Sequence, residues 1–257
     1  MRGSKLTKRQ TLFWQVMGVV AVLALWQAAT LFFPPLVLPT IKMVLTDLRG
    51  IITGPKFLKI VWTTVSRFLA GLAIGIAAGF VFGLLTGVSD RAKAMFSPVQ
   101  SVLQTVPPVC WVVLALVWFG FNGKPCVFIV ATATVPTIVI NISNGVRNID
   151  KDLLEMAELY DFSREEKLKD VILPSVRPYL VSAIEIVVGG GWKLAVMGEV
   201  LTTSSGIGGE ITKARLNIEP ALIIAWALIL VVFSFLTSRI LTSFLSRGKR
   251  RRRHAQD

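Results

Sequence analysis

Four ionisable residues stand inside otherwise apolar stretches: Arg67, Glu185, Lys193 and Glu199. A charge at membrane depth costs at least about 2.5 kcal/mol on insertion scales, so it faces a partner or a water-filled passage. On a helix, Glu185 and Lys193 point to similar sides about 12 Å apart along the axis, and Glu199 follows about 9 Å beyond Lys193. Such residues can do one of two things: bind or pass a charged solute, or pair across helices. The sequence leaves both open. Other chemistries lack their residues. The sole histidine is His254, in a basic tail, and no HExxH pattern or paired-cysteine site occurs. Cys110 and Cys126 have no metal spacing and read as small packing residues. A nucleophile–base set for a membrane enzyme is missing too.

The elements that carry these residues are membrane spans. The chain has 257 residues, is 53% hydrophobic and 17% charged, and has a mean hydropathy of +0.66. A soluble domain could not cover so much apolar surface. Apolar runs near 12–33, 60–87, 96–119, 125–144, 179–200 and 219–244 predict six transmembrane helices in a single all-α membrane domain over 1–257. The first run follows MRGSKLTKRQ, is longer than a signal-peptide core and lacks a convincing cleavage site, so an uncleaved helix is expected. Most of the 28 Lys and Arg residues fall at the two ends and in the loop 145–178. The positive-inside rule then puts both termini and that loop in the cytoplasm. The net charge of +13 is mostly loop charge that sets topology; the basic tail 245–257 suits anionic lipid, and no nucleic-acid module accompanies it.

Two regularities mark the spans. Gly71, Gly75, Gly79, Gly83 and Gly87 recur every fourth residue and predict a seam for close helix packing. Pro107 and Pro108 in span three and Pro136 in span four predict kinks or local openings, which in transporters often line the pathway. On the outside, Thr40 is placed to cap a short amphipathic helix.

The loop 145–178 reads as two short helices with a turn at Tyr160-Asp161-Phe162. Asp152 is expected to cap the first, whose apolar side is Leu153, Leu154, Ala157 and Tyr160. Ser163 with Glu166 makes a capping box for the second. Glu165 and Lys169 are spaced for an exposed ion pair, and Leu173-Pro174 is expected to stop the second helix.

The order Glu155-Met156-Ala157, three residues, Asp161, then Leu173-Pro174 resembles the "EAA" loop of ABC-transporter permeases. Met156 replaces a small residue and Asp161 the family's glycine, whose turn implies positive φ. The resemblance spans about 38–210 and is nearest the nitrate, sulfonate and taurine branch. It is carried also by Leu38-Pro39-Thr40, Ser66-Arg67, Ser97-Pro98, Pro107-Pro108 before Trp118-Phe119-Gly120, and Asn144-Gly145-Val146. Trp192 with Glu199 and Gly206-Ile207-Gly208 completes it. It implies an importer permease whose loop residues Glu155, Ala157, Tyr160, Asp161, Phe162, Ser163, Leu173 and Pro174 couple to a separate ATPase. It implies no cofactor on this chain and ATP with magnesium on the partner, since no G-x-x-x-x-G-K-[ST] loop occurs here. The implied partners are a second permease copy, two ABC ATPase subunits and an extracytoplasmic solute-binding protein, in a bacterial plasma membrane. Glu185, Lys193, Glu199, Pro107 and Pro108 are the candidate pathway residues, with Glu199 at its outer end. That branch often has arginine where Glu185 stands, so the resemblance does not fix the charge of the cargo. A secondary transporter is the alternative.

Overall fold

The computed structural model describes residues 7–253; the side chains of the basic tail 245–257 lie outside the described residues. Every regular element among the described residues is helical. The chain runs α1 (Lys8–Ala29), α2 (Ile41–Thr53), α3 (Phe57–Val88), α4 (Asp90–Thr105), α5 (Pro108–Phe119), α6 (Lys124–Arg147), α7 (Lys151–Leu159), α8 (Arg164–Glu166), a π-helical stretch (Lys167–Ile172), α9 (Leu173–Thr202), α10 (Gly206–Leu216) and α11 (Pro220–Arg253).

The central layer is α3 against α6 against α9. The α3–α6 contact is set by glycine. A Cβ at Gly75 would fall 2.5 Å from the Thr134 Cβ, one at Gly79 2.7 Å from the Ile138 Cβ, and one at Gly83 2.7 Å from the Ile142 Cβ. Gly71 meets Val130 and Gly87 meets Val146 in the same way. Each glycine thus takes the β-branched residue of one successive turn of α6 against bare backbone, the close approach that small residues permit in membranes. On the other side of α3, Phe68 stacks on Trp192 of α9 with ring centroids 4.5 Å apart, and the Cα of Gly191 lies against the Phe68 ring. The opposite face of α9 is open: Glu185, Ile186, Gly189, Gly190 and Lys193 are all exposed.

Among the described residues, five helices are long and apolar enough to cross a membrane, or six if the bent pair α4–α5 is one span, and it is span three that departs from a single helix. It is not one kinked helix. α4 and α5 are bent by 98° at Val106-Pro107. Two successive prolines remove two amide donors, and each forces its predecessor into extended backbone, here ψ 124° at Val106 and 139° at Pro107. The break therefore comes from backbone sterics. By contrast α6 runs unbroken through Pro136. Of the two cysteines only Cys126 is packed; Cys110 is exposed.

A second turn carries strain. α10 ends in a Schellman motif: Glu219 N–H donates to the Ala214 carbonyl at 2.8 Å and Ile218 N–H to the Arg215 carbonyl at 3.2 Å. Its left-handed residue is Ile218, at φ +59°, a β-branched side chain in the region that favours glycine. The side chain is 62% exposed, so little packing holds it there. Ile218→Gly is expected to stabilise the folded chain by about 1 kcal/mol, read as a raised melting temperature in detergent.

Candidate functional site

Three places assemble the residues singled out by type. The first is at the α7 end of the bundle. Asp150, not Asp152, caps α7: its carboxylate accepts the Asp152 amide at 3.1 Å, which leaves Asp152 as a first-turn acid. Either acid suits a cap by type, and the chain's turn at Ile149 decides for the earlier one. α7 ends in its own Schellman motif. Phe162 N–H donates to the Ala157 carbonyl at 2.9 Å and Asp161 N–H to the Glu158 carbonyl at 3.1 Å, with Asp161 at φ +50°. Ala157 is buried among Ile149, Leu154, Phe162 and Val171, so the helix is clamped to the end of the bundle. Glu155 and Asp161 face solvent, as do Leu159 and Tyr160, which are 83% and 72% exposed. Tyr160 is therefore not on the packed face, contrary to expectation: the tight cap turns it outward.

Ser163 and Glu166 form the capping box. Glu165 and Lys169 make no ion pair; Lys167 reaches back to Glu158 instead, at 3.1 Å. Pro174 does not end the helix. The Leu173 amide bonds to the Leu168 carbonyl five residues back, and this π-helical turn carries the chain into α9. Pro174 then sits in the first turn of α9, where a missing N–H is tolerated.

The second place is the far end of α9. Glu199 is fully buried. Its carboxylate accepts hydrogen bonds from Arg67 Nη1 at 2.7 Å, Thr64 Oγ1 at 2.8 Å and the Gly208 amide at 3.0 Å. Thr64 Oγ1 in turn accepts the Ile207 amide at 2.8 Å. Arg67 also donates to the Ser205 carbonyl at 3.0 Å and to Ser205 Oγ at 2.8 Å. The Gly206 backbone, at φ +85°, presses on the Glu199 carboxylate, and a Cβ there would strike it. Gly123 lies as close to the Arg67 guanidinium. One ion pair thus ties α3, α9, α10 and the turn before α6. Every oxygen of the carboxylate is occupied, which is what a buried charge requires.

Of the two uses the sequence left open for Glu199, the geometry here is that of pairing across helices: its carboxylate is enclosed by the chain's own groups. Sequence could show that Glu199 needed a partner, but Arg67 lies 132 residues away, and no local spacing links them. Thr64 and Ser205 were missed because a hydroxyl in a membrane helix carries no signal of its own.

The third place is the open face of α9 and the broken pair α4–α5. Glu185 and Lys193 are exposed and make no ion pair among the described residues. Pro108 lines a cavity of about 200 Å³ with Gln104, Trp111, Thr132, Pro136 and Thr137. No group of residues able to hold a metal ion occurs among the described residues.

Among the described residues, a helical core with five helices long and apolar enough to cross a membrane, a knob clamped at one end and a charge-locked far end define an integral membrane subunit. Residues 71–251 match the family described as the binding-protein-dependent transport system inner membrane component, and the chain belongs to it. It is the permease subunit of an ATP-binding-cassette importer. The putative aliphatic sulfonates transport permease SsuC of Bacillus subtilis (strain 168) is 31% identical over 240 residues, covering 92% of this chain and 82% of the relative. The taurine transport permease TauC of Escherichia coli (strain K12) is 25% identical over 227 residues, 85% and 82% of the two chains. In fold, the chain resembles a subunit of a bacterial ABC transporter involved in import of the acidic polysaccharide alginate. The TM-score is 0.61 at 16% identity, with 94% of this chain and 92% of that one covered.

Proposed function

We propose that two copies of this chain enclose the passage for a small polar solute, and that the α7 knob seats a separate ATPase subunit under each copy. The knob is the observation that carries this reading. Two large apolar side chains, Leu159 and Tyr160, stand exposed at the tip of a helix whose root is fixed by Ala157. A rigid apolar tip in water is a docking feature. Glu155, Asp161, Phe162, Ser163, Leu173 and Pro174 shape or support it. ATP and magnesium belong to the partner. The loop charge puts the knob and both termini in the cytoplasm of a bacterial cell, with α2 and α10 outside, where a binding protein delivers the solute. The relatives named for sulfonates and taurine suggest a small sulfonate-like cargo.

The test is coupling. Cysteines placed at positions 155–162 are expected to crosslink to the ATPase. Glu155→Arg and Tyr160→Ala are expected to leave insertion and dimer intact while cutting solute-stimulated ATP hydrolysis by about tenfold or more. Full transport by a chain whose 152–163 segment is scrambled, or ATP-independent uptake by this chain alone, would overturn the reading.

A further inference from the structure

The lysine on the open face of α9 has no role in the fold. Trp192 and Gly191, its neighbours in sequence, are buried against Phe68, whereas Lys193 points to the other side and is exposed. One turn below it Gly189 and Gly190 lie bare, with nothing within 4 Å of where a Cβ would stand. The ammonium thus overlooks a cleared strip of backbone. It cannot be left against lipid, because a lysine at that depth costs several kcal/mol. No described carboxylate pairs with it: Glu185 lies about two turns away, and Glu199, six residues on, has every bond taken by Arg67, Thr64 and Gly208.

In the two-copy passage proposed above, a second copy supplies the cover. In a two-fold dimer whose axis follows the membrane normal, residue 193 of one copy lies level with residue 193 of the other. Glu185 of the other copy is then offset by about 12 Å along the axis, a separation bridged only if both side chains are drawn out fully along their helices. The two ammonium groups stand at one level instead. Like charges facing each other in a low-dielectric space repel unless an anion lies between them. The glycines leave room for one.

We infer that Lys193 is a specificity-determining residue: one ammonium from each copy holds the anionic group of the solute as it crosses. This rests on the two-copy passage proposed above. Paired cationic side chains lining a narrow passage favour anions over neutral solutes of the same size. Glu185, nearer the cytoplasm, follows as a repulsive group that keeps the anion from resting in the inner half.

The experiment uses the full complex of permease, ATPase and binding protein in proteoliposomes, with radiolabelled ethanesulfonate, nitrate and bicarbonate as probes. Wild type is expected to take up at least one of them. Lys193→Gln should lower that uptake by about tenfold or more with dimer, ATPase association and basal hydrolysis retained. Lys193→Arg should stay within roughly threefold of wild type. Lys193→Cys, made with Cys110→Ser, should regain uptake after an aminoethyl methanethiosulfonate restores the positive charge, and not after a sulfonatoethyl one. The inference is overturned by wild-type uptake in Lys193→Gln, by rescue with either reagent alike, or by uptake of none of the anions. It is overturned too if Lys193→Gln dissociates the dimer and Lys193→Glu with Glu185→Lys restores it, which would show an ion pair between copies. A wild-type chain that binds no ATPase sinks the underlying reading instead, and is seen before any variant is made.

Discussion

Glu199→Ala should cost the folded chain about 3–5 kcal/mol, enough to abolish a stably folded protein in detergent. The substitution leaves Arg67 inside with no counter-charge and strips Thr64 and the Gly208 amide of their acceptor. It also opens space beneath Gly206, whose backbone packs on the carboxylate. Glu199→Gln keeps the shape and should still lose most of that stability, because a neutral amide cannot balance the guanidinium. Arg67→Met alone should be similarly harmful. The double change Arg67→Met with Glu199→Leu removes both charges and should recover a substantial part, since a buried ion pair is replaceable by apolar groups more readily than it is halved. Thermal melts of the four proteins, followed by size-exclusion chromatography, read this directly. Single variants as stable as wild type would show that the pair does not hold α10 in place.

Gly75→Leu and Gly79→Leu should be the most damaging changes along the glycine seam, each costing about 3 kcal/mol or more. The new Cβ alone would need Thr134 or Ile138 to withdraw, and these are the rigid, branched carbons next to the α6 backbone. No rotamer change moves a Cβ, so the two helices themselves would have to separate along the seam. Ala77→Leu is the control. Ala77 lies on the same helix between the two glycines and is exposed, and its enlargement should be nearly neutral. The fraction of correctly assembled protein extracted from membranes distinguishes the two faces. Equal tolerance at positions 75, 77 and 79 would remove the seam from the account.

How much of this was legible in the sequence depended on whether the signal was local. Hydropathy marks long helices because the bilayer demands continuous apolar length, and α1, α3, α6, α9 and α11 follow. The four-residue glycine period fixed one face of α3, but nothing in it named α6 as the helix received there. Pro107-Pro108 announced a disturbance; the extended backbone at both Val106 and Pro107 makes it a 98° break rather than a kink. The cap of α7 was misplaced by two residues because Asp150 and Asp152 are chemically equivalent there. Pro174 misled for a different reason: a π-helical turn relieves the clash that makes proline a helix stop, and no residue in 167–172 advertises it. Arg67, Thr64 and Glu199 were visible as polar residues in apolar surroundings, but their union is a tertiary fact.

The unbroken passage from α8 into α9 has a mechanical consequence. Arg164 to Thr202 is 39 residues of continuous helix, a lever of about 58 Å. One end is rooted beside the knob; the other is riveted to α3 and α10 by the Glu199 carboxylate, and the glycine seam welds α3 to α6 along the way. Above the π-helical turn, a block so joined resists bending. Force applied at its foot can only rock it whole, and a tilt of about 5° carries the far end by about 5 Å. In the two-copy arrangement proposed above, a small stroke at the foot of each block becomes a wide parting at the other face of the membrane.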